Sequence, residues 1–189
     1  MSEKKFSRVV LSVGFMAEKI MDHFGDRFAG IDLAYSVETN PLGTGGALKK
    51  TLPHCEGDHV FVFNGDTYLD LEVDELEIGW QRGGFPMIVA RQVPDTGRYG
   101  SLVVVDGRVI GFAEKGVSGP GLINAGCYVL PKDILAGETA EKFSFEADFM
   151  SSAVQSRRFD VFVSRGQFID IGIPEDFYRA QDELSGICK

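Results

Sequence analysis

Short apolar runs alternate with amphipathic segments through the first third of the chain. The runs are rich in β-branched residues, which is typical of strands, while the segments between them place apolar residues such as Met16, Ile20 and Phe24 on one helical face. The predicted elements follow the order βαβαβ, at residues 8–13, 15–25, 32–37, 44–52 and 59–64. Strands that are nearly continuous in apolar residues and separated by helices predict a parallel sheet covered on both faces, with ligands at the carboxyl ends of its strands.

The rest of the chain continues this alternation and adds a hairpin. Asp106 and Gly107 stand between two apolar runs, which predicts a β-hairpin over residues 101–112. The other predicted elements are a helix near 73–80, strands at 87–93, 122–130, 159–164 and 168–171, and a closing helix that begins at Pro174. We therefore predict an α/β fold with a Rossmann-like, doubly wound mixed sheet and a β-hairpin flap, in a single domain over residues 1–189.

Composition and charge narrow the function classes. The formal net charge of −9 disfavours nucleic acid and anionic membrane surfaces as partners, because both need concentrated Lys and Arg. No run of about 18 apolar residues and no signal-peptide pattern is present, so we expect a cytoplasmic protein. The three cysteines fit neither a zinc site nor a disulfide framework and predict reduced thiols. The sequence leaves the oligomeric state open, a homo-oligomer included.

Two aspartates stand at the ends of apolar strands. Asp66 follows the apolar run 60–63 through an Asn-Gly pair, and Asp170 lies in an apolar strand just before Gly172. A turn in which Asp66 only caps the next element is the structural alternative. Magnesium takes one or two protein carboxylates and leaves its other positions to water and phosphate oxygens. Two such aspartates on opposite sides of a cleft therefore predict a Mg²⁺ site.

A glycine-rich loop at residues 41–47 follows the second strand and opens a helix. Its bare backbone N–H groups suit an anion or the edge of a base, and a tight strand-to-helix connection is the alternative. The loop matches neither the Walker lysine loop nor the dinucleotide fingerprint, which argues against a kinase and a dehydrogenase.

Three polar residues follow the hairpin. Glu114 suits the hydroxyls of a sugar, Lys115 offers a point charge to a phosphate, and Asn124 offers both a donor and an acceptor. A solvated ion pair is the alternative explanation for the Glu-Lys pair.

Six motifs, taken in order, resemble the nucleotidyltransferase family that makes nucleotide sugars. They are P-L-G-T-G-G-A (41–47), N-G-D (64–66), R-Y-G (98–100), E-K (114–115), I-N-A-G (123–126) and F-I-D-I-G-I-P-E-D-F (168–177). Within this family the chain is most similar to the D-glycero-α-D-manno-heptose 1-phosphate guanylyltransferases, with the mannose 1-phosphate guanylyltransferases next. The resemblance implies that a nucleoside triphosphate and a sugar 1-phosphate are converted to a nucleotide sugar and pyrophosphate, with Mg²⁺ as cofactor.

The resemblance also implies roles for individual residues. Asp66 and Asp170 would be metal ligands, and Lys115 would be the third catalytic residue, in contact with the sugar phosphate. The residues implied at the nucleotide, besides Glu38, are Leu42, Gly43, Thr44, Gly46 and Gly65. The residues implied at the sugar are Tyr99, Gly100, Glu114, Asn124 and Gly126.

The position of Glu38 bears on the choice of nucleotide. It lies just before the glycine loop, where its carboxylate could accept from the two adjacent N–H donors of guanine, whereas uracil would suit an amide better. This hypothesis favours GTP, and an acidic surface residue without a ligand is the alternative.

The chain departs from the family at its beginning. Family members open with a strand, a G-G-x-G-T-R-type loop and a lysine in a K-P pair that clamp the triphosphate, and none of these motifs occurs in the sequence. We therefore expect a sheet that lacks its first strand. Two other functions follow from the same motifs. One is a binding subunit without turnover, and the other is a glycosyltransferase that consumes nucleotide sugars, although Asp66-Thr67-Tyr68 lacks the second acid of the usual D-x-D pair.

Overall fold

The computed structural model describes residues 6–113, 116 and 118–185. By its internal contacts the chain divides into two compact units, which are described separately here. Unit 1 comprises Met1–Val60 and Pro131–Arg157, and unit 2 comprises Phe61–Leu130 and Arg158–Lys189. The single domain expected from the sequence stays a prediction.

Unit 1 is built on a three-stranded sheet. Its strands are β1 (Arg8–Val13), β2 (Arg27–Phe28) and β3 (Ile31–Val37), in the order β1-β3-β2. β1 and β3 are parallel over their whole length, and β2 runs antiparallel to β3. The helices of this unit are α1 (Ala17–Phe24), α2 (Gly43–Thr51), a 3₁₀ turn (Leu52–His54), a π-helix (Phe145–Met150) and α4 (Ser151–Ser156).

Local sequence explains where α1 begins and ends. Met16 precedes the helix in the left-handed region at φ 58°, and Gly25 follows it at φ 62° with its N–H donating to the Met21 carbonyl. Glycine reaches this backbone region without a steric penalty, so it is the usual residue after a helix. The helix can therefore turn back into the β2–β3 ribbon, and β3 lies parallel to β1.

Unit 2 contains a six-stranded mixed sheet in the order β4-β9-β6-β10-β8-β7. The strands are β4 (His59–Phe63), β6 (Met87–Val93), β7 (Ser101–Val105), β8 (Arg108–Ala113), β9 (Gly121–Pro131) and β10 (Asp160–Ser164). A separate two-stranded sheet pairs β5 (Thr67–Leu69) with β11 (Phe168–Asp170), and the helices are α3 (Val73–Gly83) and α5 (Pro174–Leu184).

The central strands β6 and β9 form the core of unit 2. Ile88, Val89 and Ala90 are consecutive in β6 and all fully buried, as are Val129 and Leu130 in β9. Consecutive residues of a strand face opposite sides of the sheet, so both faces of these strands are covered. The mixed α/β fold predicted from the sequence is confirmed.

The predicted hairpin is formed by β7 and β8. Asp106 and Gly107 both have positive φ, at 50° and 74°, which is the backbone of the tight turn that favours Asp-Gly. Next to its turn the hairpin pairs with β10 through Arg108, and at its base it pairs with β9 through Ser101. It is thus an edge ribbon of the six-stranded sheet.

Both β1 and β4 stand at the end of their sheet's strand order, so each has a neighbouring strand on one side within the described part of the chain. No helix among the described residues is long and apolar enough to cross a bilayer.

Candidate functional site

The pairing of β5 with β11 brings the two predicted metal ligands together. Thr67 lies opposite Asp170 in the antiparallel register, and the Ile171 N–H donates to the Asp66 carbonyl at 2.9 Å. Asp66 therefore occupies the position directly across from the residue after Asp170. Two carboxylates that are far apart in sequence lie on adjacent backbone segments of unit 2.

Local turns set the exposure of these carboxylates. Gly65, which precedes Asp66, has open space where a side chain would begin, and Asp66 itself is exposed. Asp170 is half-buried, and its Oδ1 accepts the Gly172 N–H at 2.8 Å. Each aspartate thus keeps carboxylate oxygens available to a ligand. The role predicted for Gly65 at the nucleotide stays a prediction.

Asn124 is held by a hydrogen-bonded framework in β9. Its Oδ1 accepts the Gly126 N–H at 3.1 Å, and its Nδ2 donates to the Tyr128 hydroxyl at 2.8 Å. Tyr128 is 1% exposed, so the amide has a rigid support beneath it. One N–H and one lone pair of the amide remain for a ligand. The sequence interpretation missed Tyr128, although its even spacing from Asn124 places both on one face of the strand.

Gly126 cannot be replaced by a larger residue without a shift of its neighbours. Its φ is 69°, and a Cβ there would lie 2.8 Å from Asn64 Nδ2. The Asn64 N–H also donates to the Gly126 carbonyl at 2.8 Å. Because Asn64 leads into Asp66 within two residues, this contact ties the end of β4, and with it Asp66, to β9.

Tyr99 and Gly100 lead into β7 at the junction of three strands. Ser101, the first residue of β7, pairs with both Ala113 of β8 and Ile123 of β9. The Tyr99 ring lies edge-on to the Phe168 ring with a centroid distance of 6.4 Å. Burial raises the pKa of the Tyr99 hydroxyl, so it stays a neutral donor.

These contacts link six predicted residues within unit 2, which we call the unit 2 cluster. Its members are Asp66, Tyr99, Gly100, Asn124, Gly126 and Asp170. The link from Tyr99 to β11 passes through Phe168, and the link from β9 to Asp66 passes through Asn64. Glu114 and Lys115, which the sequence also predicts at this site, lie outside the described residues.

The glycine loop, in unit 1, packs against another part of its own unit. A Cβ at Gly43, Gly45 or Gly46 would lie 2.5, 2.1 or 2.2 Å from atoms of Phe143 or Glu141. Gly43 also has a φ of 73°. These glycines are therefore required by the close approach of the segment 141–143, a constraint that applies whether or not a ligand is bound.

The segment 141–143 also forms hydrogen bonds with the N-terminus of α2. The Phe143 carbonyl accepts the N–H groups of Gly45 and Gly46 at 3.0 and 3.4 Å, and the Phe143 N–H donates to the Leu42 carbonyl at 3.0 Å. An anion or base at this loop would therefore compete with the Phe143 carbonyl for the N–H groups of Gly45 and Gly46.

Thr44 and Glu38 also have partners within unit 1. The Thr44 hydroxyl accepts the Phe145 N–H at 2.8 Å and donates to Glu146 at 2.7 Å. Glu38 accepts the Leu42 N–H at 3.0 Å and the Ser12 hydroxyl at 3.3 Å. Both side chains thus help to shape the loop, and their predicted contacts with the nucleotide stay predictions.

The donor set of the unit 2 cluster fits magnesium. No group of three or more His, Cys, Asp and Glu side chains with metal-site geometry occurs in the described part of the chain. Magnesium instead keeps several waters and is held by one or two carboxylates together with substrate phosphates. Asp66 and Asp170, on paired strands and with oxygens available, match that requirement.

Comparison with known proteins supports what the motifs indicate. The family model described as "Nucleotidyl transferase" matches residues 1–186. The chain belongs to this family. The resemblance read from the six motifs is thereby confirmed, and the chain is a member of a nucleotidyltransferase enzyme family.

Several members of the family are similar over nearly the whole chain. The D-glycero-α-D-manno-heptose 1-phosphate guanylyltransferase of Aneurinibacillus thermoaerophilus is 39% identical over 97% of this chain and 81% of its own length. The enzyme of the same name from Campylobacter jejuni is 37% identical over 94% of this chain and 79% of its own length. The crystal structure of HddC from Yersinia pseudotuberculosis complexed with GMP-PN has a TM-score of 0.87 at 36% identity, covering 97% of this chain and 81% of that one.

Proposed function

We propose that the protein is a sugar 1-phosphate guanylyltransferase that forms a GDP-sugar and pyrophosphate. The observation that carries the proposal is the pairing of β5 with β11, which sets Asp66 beside Asp170 within the unit 2 cluster of a nucleotidyl transferase family member. Names of similar proteins support D-glycero-α-D-manno-heptose 1-phosphate as the sugar substrate and GTP as the nucleotide. We also propose that the protein is cytoplasmic, where both substrates would be available.

The proposed reaction is an in-line displacement at phosphorus. An oxygen of the sugar 1-phosphate attacks the α-phosphorus of GTP, the bond from that phosphorus to the bridging oxygen breaks, and pyrophosphate leaves with the electron pair. The attacking phosphate is already anionic near pH 7, so no general base is needed. Catalysis then depends on orientation and on stabilising the charge that develops on phosphate oxygens.

The residues near the proposed sugar phosphate site have separate roles. Asp66 and Asp170 would hold Mg²⁺, which neutralises phosphate charge when bound. Asn124 would orient the sugar through its remaining N–H and lone pair, because Tyr128 fixes the other half of its amide. Gly100 would leave room for the sugar to lie against the backbone, Gly126 lets Asn64 approach β9 closely, and Lys115 would contact the sugar phosphate.

On the nucleotide side we propose that Glu38 reads guanine next to Leu42, Gly43 and Gly46. A Glu38→Gln variant tests this sharply because glutamine keeps an oxygen that can accept the Leu42 N–H and so preserves the loop. Nucleotide preference should move from GTP toward UTP. Ser12→Ala is the matched control, since it removes the other partner of Glu38 and leaves the carboxylate in place. An unchanged preference in Glu38→Gln would contradict the proposed role.

The central experiment is a coupled assay for pyrophosphate release with GTP, heptose 1-phosphate and Mg²⁺. A bound metal that polarises phosphoryl oxygens contributes several kcal/mol, so Asp66→Asn and Asp170→Asn should each lower kcat/KM by about 10²-fold or more. Asp74→Asn, an exposed aspartate in the first turn of α3, is the control and should leave the rate unchanged. Full activity in both site variants would refute the assignment.

A further inference from the structure

A buried carboxylate on α5 binds two arginines beside the unit 2 cluster. Asp176 is 7% exposed, and its Oδ2 accepts from Arg98 Nη2 at 2.5 Å. Its Oδ1 lies 3.0 Å from Arg179 Nη2 on the next turn of the same helix. Buried charges are retained when they are paired, so the two arginines account for the burial of Asp176. The motif P-E-D contains this residue, but the sequence interpretation gave it no role.

Arg98 is connected to the metal-ligand candidate Asp170 through two aromatic rings. It immediately precedes Tyr99, and its guanidinium carbon is 5.5 Å from the centroid of the Tyr99 ring. That ring packs against Phe168, two residues before Asp170 in β11. The hydrogen bond to Asp176 is the main cause that raises the pKa of Arg98, and the charge of Asp170 contributes least in the same direction.

Arg98 would be a competitor for Asp170 if it were not held elsewhere. A guanidinium binds a carboxylate strongly and in a bidentate manner, through oxygens that a divalent cation would also need. The Arg98 side chain is 51% exposed, so solvent rather than packed side chains surrounds half of it and the chain can move. In the structure its described ion-pair partner is Asp176.

We propose that Asp176 is a positioning residue that holds Arg98 away from Asp170, which leaves Asp170 available to the catalytic cation. The inference rests on the proposed function, because it takes Asp170 as a metal ligand. It makes the ion pair on α5 part of the metal site without any contact between Asp176 and the metal.

The test is direct binding of Mn²⁺ to the full chain, measured by isothermal titration calorimetry in the absence of substrates. In Asp176→Asn the guanidinium loses its charged partner and pairs with Asp170, so the dissociation constant for Mn²⁺ should rise about five- to tenfold. In the double variant Asp176→Asn/Arg98→Gln the competitor is gone, and affinity should return to within about twofold of wild type. Arg98→Gln alone should bind Mn²⁺ at least as tightly as wild type.

A purely structural role for Asp176 predicts a different pattern, because loss of packing in Asp176→Asn would not be repaired by a second substitution. Weak binding that persists in the double variant therefore overturns the inference, as does unchanged binding in Asp176→Asn. Arg179→Gln is the matched control and should leave the affinity unchanged, since Asp176 still holds Arg98. If Asp176→Asn does not fold, Asp176→Glu replaces it, with a smaller weakening that Arg98→Gln again removes.

Asp170→Ala separates this inference from the proposed function. Loss of Mn²⁺ binding in Asp170→Ala, with no effect in Asp176→Asn, refutes the positioning role and leaves the proposed function intact. Wild-type Mn²⁺ affinity in Asp170→Ala refutes the metal site itself, and the positioning role with it.

Discussion

Replacing Gly46 by alanine would place a methyl group on the contact between α2 and the segment 141–143. The new Cβ would lie 2.2 Å from the Glu141 carbonyl oxygen and 2.9 Å from Leu42 Cβ. Both neighbours are close to the backbone, so neither can turn aside as the end of a flexible side chain can. The segment would have to move by most of an ångström, which weakens the hydrogen bonds of Gly45 and Gly46 to the Phe143 carbonyl.

The expected cost follows from three contributions. Overpacking a well-filled site typically costs about 1–3 kcal/mol. Weakening the two hydrogen bonds adds about 1 kcal/mol, and the better helix propensity of alanine returns about 1 kcal/mol. We therefore expect the free energy of unfolding to fall by about 1–3 kcal/mol, which lowers Tm by roughly 2–12 °C for a chain of this size.

Urea denaturation followed by far-UV circular dichroism measures this change. The single tryptophan, Trp80, lies in α3 of unit 2, so its fluorescence reports separately on the unit that does not contain Gly46. Gly79→Ala is the matched control within α3, because its Cβ would meet only the Met87 side chain, at 3.1 Å from the sulfur. That variant should stay within about 1 kcal/mol of wild type. A Gly46→Ala protein as stable as wild type would refute the packing explanation for the glycine loop.

Two further predictions concern titratable groups. Burial raises the pKa of the Cys127 thiol to about 12, so this thiol should not react in the native protein. In a Cys188→Ser variant, an Ellman assay at pH 8 should therefore count one reactive thiol, Cys55, in the native protein and two in urea. Two reactive thiols in the native protein would contradict the burial of Cys127. The Asp95 carboxylate accepts hydrogen bonds from the N–H groups of Gly97 and Gly119, and both bonds lower the pKa of Asp95. A carboxylate whose pKa is lower in the folded state stabilises the folded protein at pH values above its unfolded-state pKa of about 3.9. This stabilisation is lost as the pH falls through the folded-state pKa. Asp95→Ala should therefore lower the urea midpoint at pH 7, and the difference from wild type should vanish near the acid limit of folding. An equal difference at both pH values would show that the carboxylate is not the cause.

Much of the fold could be predicted because the central strands carry a strong local signal. β1 and β6 were predicted with the bounds that the structure gives, since most residues in them are apolar or β-branched. The strands β2 and β5 were missed because they are two and three residues long, too short for a period to appear. The π-helix was also missed. Its start is fixed by a hydrogen bond from Phe145 to Thr44, about a hundred residues earlier, which no local pattern encodes.

The candidate site also combines features that the sequence predicts with features that only the structure shows. Asp66 and Asp170 could be singled out from sequence because each is an acid at the end of an apolar strand, a local feature, and their role as metal ligands stays a prediction. The partners of the glycine loop could not be found, because the segment 141–143 that it packs against has no pattern that connects it to α2. Asp176 was passed over for a related reason. An acid near the start of an amphipathic helix is usually a solvated residue, and only the three-dimensional structure shows it buried between two arginines.

The β5–β11 pairing also determines when the site can exist during folding. It joins two three-residue strands across a loop of about 100 residues, so its formation carries a large entropic cost and few local contacts assist it. A cation that binds both aspartates acts on the native state alone and so closes this loop, much as a covalent cross-link would. The proposed metal site would then act as a stabilising clamp on unit 2, and metal affinity would become a measure of how completely this unit has folded.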